Sequence, residues 1–265
     1  MMENILPQIV AIADKAGEAI MEIYATPVNG VITKQDDSPL TLADLASDRV
    51  IGAGLAGLAL GWPIISEESA QISYKDRKGW QRFWLVDPLD GTKEFIRRNG
   101  EFTVNIALIE NGEPVLGVVY APVLDVCYFA ARGVGAFVRY GESDAHAINV
   151  KEYIPAEPIK VVASRSHSDS RTESLLNKFI SYQCISMGSS LKLCLVAEGL
   201  AHLYPRLGPT MEWDTAAAHA VVRYAGGRVC DLAGAELRYN KPDLHNPEFL
   251  VFSAADNTLR SILQT

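Results

Sequence analysis

Apolar residues near the start of the chain recur every three or four positions, at Ile5, Ile9, Ile12, Ala16, Ile20 and Ile23. That period lays them along one stripe of a helix. The helix is expected to end before Pro27, because proline cannot continue it. A second helix is predicted over residues 41–60. The short apolar runs at 63–65 and 83–86 read as buried strands. From 102 to 140 the pattern changes to brief runs rich in Val, Ile, Phe and Tyr, broken by Asn111-Gly112, Pro122 and Arg132-Gly133. This is the signature of an antiparallel meander. Residues 141–158 are polar, punctuated by prolines, and form the natural boundary. Beyond them, 160–163, 184–186, 201–204, 228–231 and 249–252 predict strands alternating with helices, an α/β layer.

One motif points elsewhere. Gly52-Ala53-Gly54-Leu55-Ala56-Gly57 satisfies the dinucleotide pattern G-x-G-x-x-G. That pattern holds pyrophosphate only in a turn that leaves a strand and enters a helix. Residues 43–50 read as helix, so the glycines are expected to serve close helix packing instead.

The chain has 265 residues, of which 48% are hydrophobic, enough for a sizeable core in one large domain or two closely packed ones. A net charge of −8 argues against a nucleic acid polymer as partner, since phosphate backbones demand a basic face. Cys127, Cys184, Cys194 and Cys230 show no Cys-x-x-Cys spacing and lie in apolar stretches, which favours buried thiols over disulfides or zinc ligands. The N-terminal segment lacks the basic start and continuous apolar core of a signal peptide. No run approaches the roughly 18 apolar residues of a membrane span. A cytoplasmic protein is expected; loose attachment to the inner face of a membrane and the oligomeric state are left open.

The chemistry concentrates in Asp87-Pro88-Leu89-Asp90-Gly91-Thr92. Asp87 follows the 83–86 strand, where α/β proteins place their sites. Pro88 fixes one φ and Gly91 permits a tight turn, so the two carboxylates can converge. Converging carboxylates repel unless a cation lies between them. Oxygen ligands without nearby Cys or His favour magnesium or manganese over zinc. A solvated surface turn is the bland alternative. An EF-hand calcium loop fits worse, because its acids alternate at every second position. Glu67 and Glu68 again follow a strand end, and Asp214 follows Trp213 at the head of a helical tract, which supplies oxygens for two or more metal ions.

Together with Asp44, these pieces resemble the inositol monophosphatase superfamily of magnesium-dependent, lithium-sensitive phosphatases. The matching segments are Asp37-Ser38-Pro39-Leu40-Thr41-Leu42-Ala43-Asp44, Ser66-Glu67-Glu68-Ser69, Trp84-Leu85-Val86-Asp87-Pro88-Leu89-Asp90-Gly91-Thr92 and Trp213-Asp214-Thr215-Ala216-Ala217. Within the superfamily the closer likeness is to the bisphosphate nucleotidases. It rests on Lys93-Glu94-Phe95-Ile96, Arg98-Asn99-Gly100-Glu101-Phe102-Thr103-Val104-Asn105 and Val162-Ala163-Ser164-Arg165-Ser166-His167. Gly188-Ser189-Ser190-Leu191-Lys192, Tyr204-Pro205-Arg206 and Gly208-Pro209-Thr210 complete it.

The resemblance implies an α/β fold of layered αβαβα sandwich type, with an α+β half over residues 1–150 and an α/β half over residues 151–265. It assigns two or three Mg2+ ions to Glu67, Asp87, Asp90, Asp214 and the carbonyl of Leu89, with Asp87 bridging. It assigns water activation to Asp44 and Thr92. Thr92 has a competing reading as a cap for the helix that follows. The start of that helix at Gly91 and Thr92 would offer backbone N–H groups to a phosphate. His167, Ser189, Lys192 and Arg206, with Arg165 nearby, are implied for a second phosphate, and His167 could instead cap the helix around 172–180. The implied reaction is hydrolysis of the small nucleotide adenosine 3',5'-bisphosphate, with 3'-phosphoadenylyl sulfate as a further substrate. An inositol or sugar phosphatase and a non-hydrolysing binding protein are the alternatives.

Overall fold

The computed structural model describes residues 2–26, 32–33, 39–69, 72–163 and 170–264. Helix α1 (Met2–Tyr24) ends where the sequence pattern places its end, and its buried stripe includes Ile5, Ile9, Ile12, Ala16 and Ile20. Ile23 lies at the edge of that stripe and is only half-buried. A short ribbon pairs β1 (Ile32–Thr33) with β2 (Pro39–Leu40). Helix α2 (Leu42–Gly57) starts at the N-cap Thr41. It ends earlier than the pattern predicts because Ala59 takes a left-handed φ of 53°. The G-x-G-x-x-G stretch is therefore helical. A Cβ on Gly54 would lie 2.7 Å from the Ile12 side chain of α1, so this glycine permits close helix packing, whereas Gly52 and Gly57 face open space.

A seven-stranded sheet follows. Its strands are β3 (Ile64–Ser66), β4 (Arg82–Asp90), β5 (Thr103–Glu110), β6 (Glu113–Ala121), β7 (Val126–Ala131), β8 (Gly135–Tyr140) and β9 (His146–Ala147), adjacent in chain order. Only β3 and β4 pair in parallel; the meander from β5 to β8 is antiparallel, as its sequence predicts. Between β3 and β5 lie a 3-10 turn (Glu67–Ser69), helix α3 (Tyr74–Arg77) and helix α4 (Thr92–Arg97). The central strands read as unbroken apolar runs because both faces are covered. On β4, Phe83 and Leu85 enter one core while Trp84 and Val86 enter another.

Strand β4 continues beyond the expected end at Val86. Its ladder with β5 runs to Asp87 opposite Asn105, breaks, and resumes at Asp90 opposite Thr103. Pro88 has no N–H to donate, so the interruption falls where the ladder cannot be kept. The two aspartates thus sit on a broken strand end rather than on a free turn.

The second sheet has the order β11-β10-β12-β14-β13. Its strands are β10 (Ile159–Ala163), β11 (Tyr182–Ser186), β12 (Leu203–Arg206), β13 (Gly227–Asp231) and β14 (Phe249–Ser253). Helix α5 (Ser170–Leu176), between β10 and β11, and helix α8 (Asn257–Gln264), after β14, share a core with this sheet, and α6 (Leu191–Ala197) and α7 (Glu212–Tyr224) lie between the sheets. The molecule is a five-layer sandwich. Helices α1 and α2 cover the outer face of the first sheet, and α6 and α7 form the middle layer, where the largest core draws on both sheets. Helix α7 rests directly on β6: a Cβ on Gly117 would come within 2.1 Å of the Ala217 carbonyl oxygen.

Cys127, Cys194 and Cys230 are buried free thiols, but Cys184 is exposed. Strand β11 is an edge strand that shows most of its length to solvent, which the apolar text around Cys184 does not reveal. Among the described residues, no helix is long and apolar enough to cross a membrane.

Candidate active site

Four chain segments meet at one end of the first sheet: the start of α2, the turn after β3, the broken end of β4 with the start of α4, and the start of α7. Thr41 opens α2, and Asp44 closes a capping box with it: Asp44 Oδ2 accepts from the Thr41 N–H at 2.8 Å and from its hydroxyl at 2.6 Å. That fixes the rotamer of Asp44, which is 1% exposed. Its Oδ1 accepts from the Thr92 hydroxyl at 3.3 Å. Thr92 does not cap its own helix. It is the first residue of α4, whose N-cap is Gly91 at φ 95°, and no side chain caps that end.

Asp87, also 1% exposed, accepts from the Leu89 N–H at 3.0 Å. Asp90 Oδ2 accepts from the Ser190 N–H at 2.6 Å, a bond that ties the end of β4 to the start of α6. Asp214 sits at the third position of α7 and accepts from the Met211 N–H at 2.9 Å, so it caps that helix as its sequence position implies. Each of these three carboxylates keeps its other oxygen without a hydrogen-bond donor among the described residues.

Burial and mutual repulsion raise the acids together. Asp87 is held well above the usual carboxylate range by burial first, then by Glu67, Asp90, Asp214 and Asp44. Burial pushes Asp90 up to about 6, against the pull of Lys192 and the Ser190 N–H. Asp214 is pushed up to about 8 by burial, then by Asp90. Acids buried side by side with one oxygen free are a donor set short of cations. Among the described residues, no three His, Cys, Asp or Glu side chains close on one point as a finished metal cage. The acids are instead anchored one by one to nearby N–H groups. The set is all oxygen, which fits a hard cation such as Mg2+.

Beside the acids opens a small cleft of about 70 Å³, lined by Asp90, Ser189, Lys192, Tyr204, Arg206, Thr210 and Asp214. The Ser189 hydroxyl donates to the Glu101 carbonyl at 2.9 Å, and its φ of 42° is left-handed. Lys192 is buried, which lowers its pKa although Asp90 favours its charge. Arg206 donates from Nη2 to the Pro209 carbonyl at 2.8 Å, while its buried Nε has no partner among the described residues. The structure thus brings Asp44, Glu67, Asp87, Leu89, Asp90, Gly91, Thr92, Ser189, Lys192, Arg206 and Asp214 into one region. His167, with Arg165, lies outside the described residues, as do Asp37 and Ser38 of the first motif. Thr41, Ser190, Tyr204 and Thr210 stand in the matching segments but receive no role from the sequence. Thr41 was findable, since Thr-x-x-Asp is a capping spacing.

The model of the inositol monophosphatase family matches residues 1–262 of this chain. The 3'(2'),5'-bisphosphate nucleotidase CysQ of Shigella flexneri is 50% identical over 248 residues, 93% of this chain and 98% of that protein. Its namesake from Salmonella typhimurium is 52% identical over 249 residues, again 93% and 98%. Among solved structures, CysQ from Bacteroides thetaiotaomicron, described as a bacterial member of the inositol monophosphatase family, superposes with a TM-score of 0.82 at 44% identity, covering 93% of this chain and 96% of that one. A layered sandwich with buried acids at the sheet end, matched over nearly its whole length, leaves one assignment: the chain belongs to the inositol monophosphatase family.

Proposed function

We propose that the protein is a 3'(2'),5'-bisphosphate nucleotidase that removes the 3'-phosphate of adenosine 3',5'-bisphosphate, giving AMP and phosphate in a Mg2+-dependent reaction. The observation that carries the reading is the Thr92–Asp44 hydrogen bond beside a cluster of buried, mutually repelling acids. Relatives of the same length bear the nucleotidase name at about half identity. In this reading 3'-phosphoadenylyl sulfate is a second substrate.

Glu67, Asp87, Asp90, Asp214 and the Leu89 carbonyl would hold two or three ions. Bound there, magnesium supplies an acidified water and neutralises charge on the phosphoryl and leaving oxygens. Asp44, locked by Thr41, accepts the hydrogen bond of the Thr92 hydroxyl and so orients it. As Thr92 Oγ1 accepts a proton from the attacking water, its own hydroxyl proton passes to Asp44 Oδ1, so the hydroxyl is restored and the carboxylate ends protonated. Gly91 and Thr92 open α4, whose first N–H groups have no partner within the helix and are available to phosphate oxygens. Ser189, Lys192 and Arg206, with His167, would take the second phosphate; the Arg206 Nε, without a partner among the described residues, supports this. Residues 1–150 then supply most of the acids and the Asp44–Thr92 pair, and residues 151–265 supply Asp214 and the cations of the cleft.

The test is phosphate release from adenosine 3',5'-bisphosphate, inositol monophosphate and fructose bisphosphate under the same Mg2+ concentration. The nucleotide should be preferred by orders of magnitude in kcat/KM. Preference for either of the others overturns the proposal.

A further inference from the structure

One turn of α2 touches three separate parts of the site. Asp44, Ser47 and Asp48 lie three and four residues apart, so they project from one face of the helix. Asp44 receives Thr92. Ser47, fully buried, donates its hydroxyl to the Pro88 carbonyl at 2.7 Å, gripping the broken end of β4 between Asp87 and Asp90. Asp48 Oδ1 accepts from the Ser66 hydroxyl at 2.5 Å, the short distance expected for a hydroxyl on a carboxylate. Ser66 is itself 2% exposed, and its Oγ accepts from the Glu68 N–H at 3.4 Å. That pair of bonds sets the 3-10 turn on which Glu67 stands. Neither Ser47 nor Asp48 contributes an atom to the reaction as described above.

We propose that Ser47 and Asp48 are positioning residues: Asp48 acts through Ser66 to aim Glu67, and Ser47 acts through the Pro88 carbonyl to aim Asp87 and Asp90. The proposal rests on reading Glu67, Asp87 and Asp90 as metal ligands. The carbonyl of Pro88 is the residue break in the ladder where backbone pairing to β5 fails, so a side chain must hold it. The Glu67 turn likewise lies past the last paired residue of β3. In both places α2 replaces the sheet as the source of alignment, and it does so from the helix that also holds Asp44. Partners of this kind, which orient ligands without touching the ion, characteristically change metal affinity about 10- to 100-fold when removed.

The test is Mn2+ binding to the full-length protein without nucleotide, titrated by the electron paramagnetic resonance of the free ion, with kcat measured in parallel over a range of Mg2+. Asp48→Asn and Ser66→Ala should each weaken Mn2+ binding about tenfold, the double variant should be no worse than the weaker single one, and Ser47→Ala should weaken it similarly. At saturating Mg2+ the kcat of these variants should return close to that of the parent, with KM for nucleotide unchanged. A merely structural role would instead lower kcat at every Mg2+ concentration. Ser66→Ala removes one buried hydroxyl and keeps the test open if Asp48→Asn does not fold. Unchanged Mn2+ affinity in Asp48→Asn and Ser66→Ala, alongside weakened affinity in Glu67→Gln, overturns the proposal. Unchanged affinity in Glu67→Gln as well overturns the assignment of Glu67 as a ligand, and the proposal with it.

Discussion

Stripping divalent cations from the protein should make its stability fall as pH rises, by an amount that follows from Asp214. Burial, reinforced by Asp90, pushes that carboxyl up to about 8, against about 3.9 in an unfolded chain. An acid raised in this way keeps its proton in the folded state after the unfolded chain has released it. Its contribution is fully present below about pH 4 and is lost as pH climbs through about 8. Between pH 6.5 and pH 8 the loss spans about 1.5 pH units at about 1.36 kcal/mol each, or about 2 kcal/mol. Burial lowers the pKa of both His202 and His219, so above pH 6.5, where the unfolded imidazoles are already half deprotonated, their opposing contribution is only about 0.4 kcal/mol each. Asp90, pushed up to about 6, is by then mostly ionised. For a chain of this size about 2 kcal/mol corresponds to roughly 4–8 °C in Tm. The assay is thermal unfolding in EDTA at pH 6.5 and 8.5, for the parent and for Asp214→Asn. The parent should lose at least that many degrees and the variant distinctly fewer, since Asp87 is also raised. Added Mg2+ should raise Tm more at pH 8.5 than at 6.5, because the ion needs ionised carboxylates. Equal Tm values at the two pH values for the parent, or the same fall in Asp214→Asn, refutes the picture of a buried acid held protonated by its neighbours.

Four further outcomes are expected. Thr92→Ala should retain Mn2+ binding and lose several orders of magnitude in kcat; near-normal turnover in a phosphate-release assay removes Thr92 from the mechanism. Arg206→Gln should raise KM for adenosine 3',5'-bisphosphate about 10- to 100-fold, as loss of a charged hydrogen bond predicts, with little effect on a nucleotide carrying the 3'-phosphate alone. Gly117→Ala should cost about 3 kcal/mol in urea unfolding, the upper end for overpacking, because the Ala217 carbonyl that the new Cβ would meet is backbone and cannot step aside. EDTA should abolish activity, and Mg2+ should restore it more fully than Zn2+, which prefers nitrogen and sulfur ligands.

The parts of the fold that were legible are those where one period dominates. The stripe from Ile5 to Ile20 specifies α1, and the Val- and Phe-rich runs after residue 102 specify the meander, because a single buried face imposes a single spacing. The strand before Asp87 was legible as apolar but not in its length, since Pro88 and the acids after it look like a turn while the chain in fact stays extended. Cys184 misled because an edge strand carries the same residues as an inner one. The acids were found by their motifs, and their convergence is tertiary: Asp90 meets Ser190 and Asp44 meets Thr92 across long sequence separations. The polar contacts of α2 had no signal of their own, since Ser47 and Asp48 read as ordinary positions in a helix.

Asp44 and Asp214 each serve as the third residue of a helix whose first N–H groups they also satisfy. A departing cation therefore takes no secondary structure with it. Between turnovers the empty protein should hold its shape, so the pace at which ions are exchanged is governed by shedding their hydration shells and not by rebuilding the polypeptide around them. An enzyme made this way can sit idle at low magnesium and resume work as soon as the ion returns.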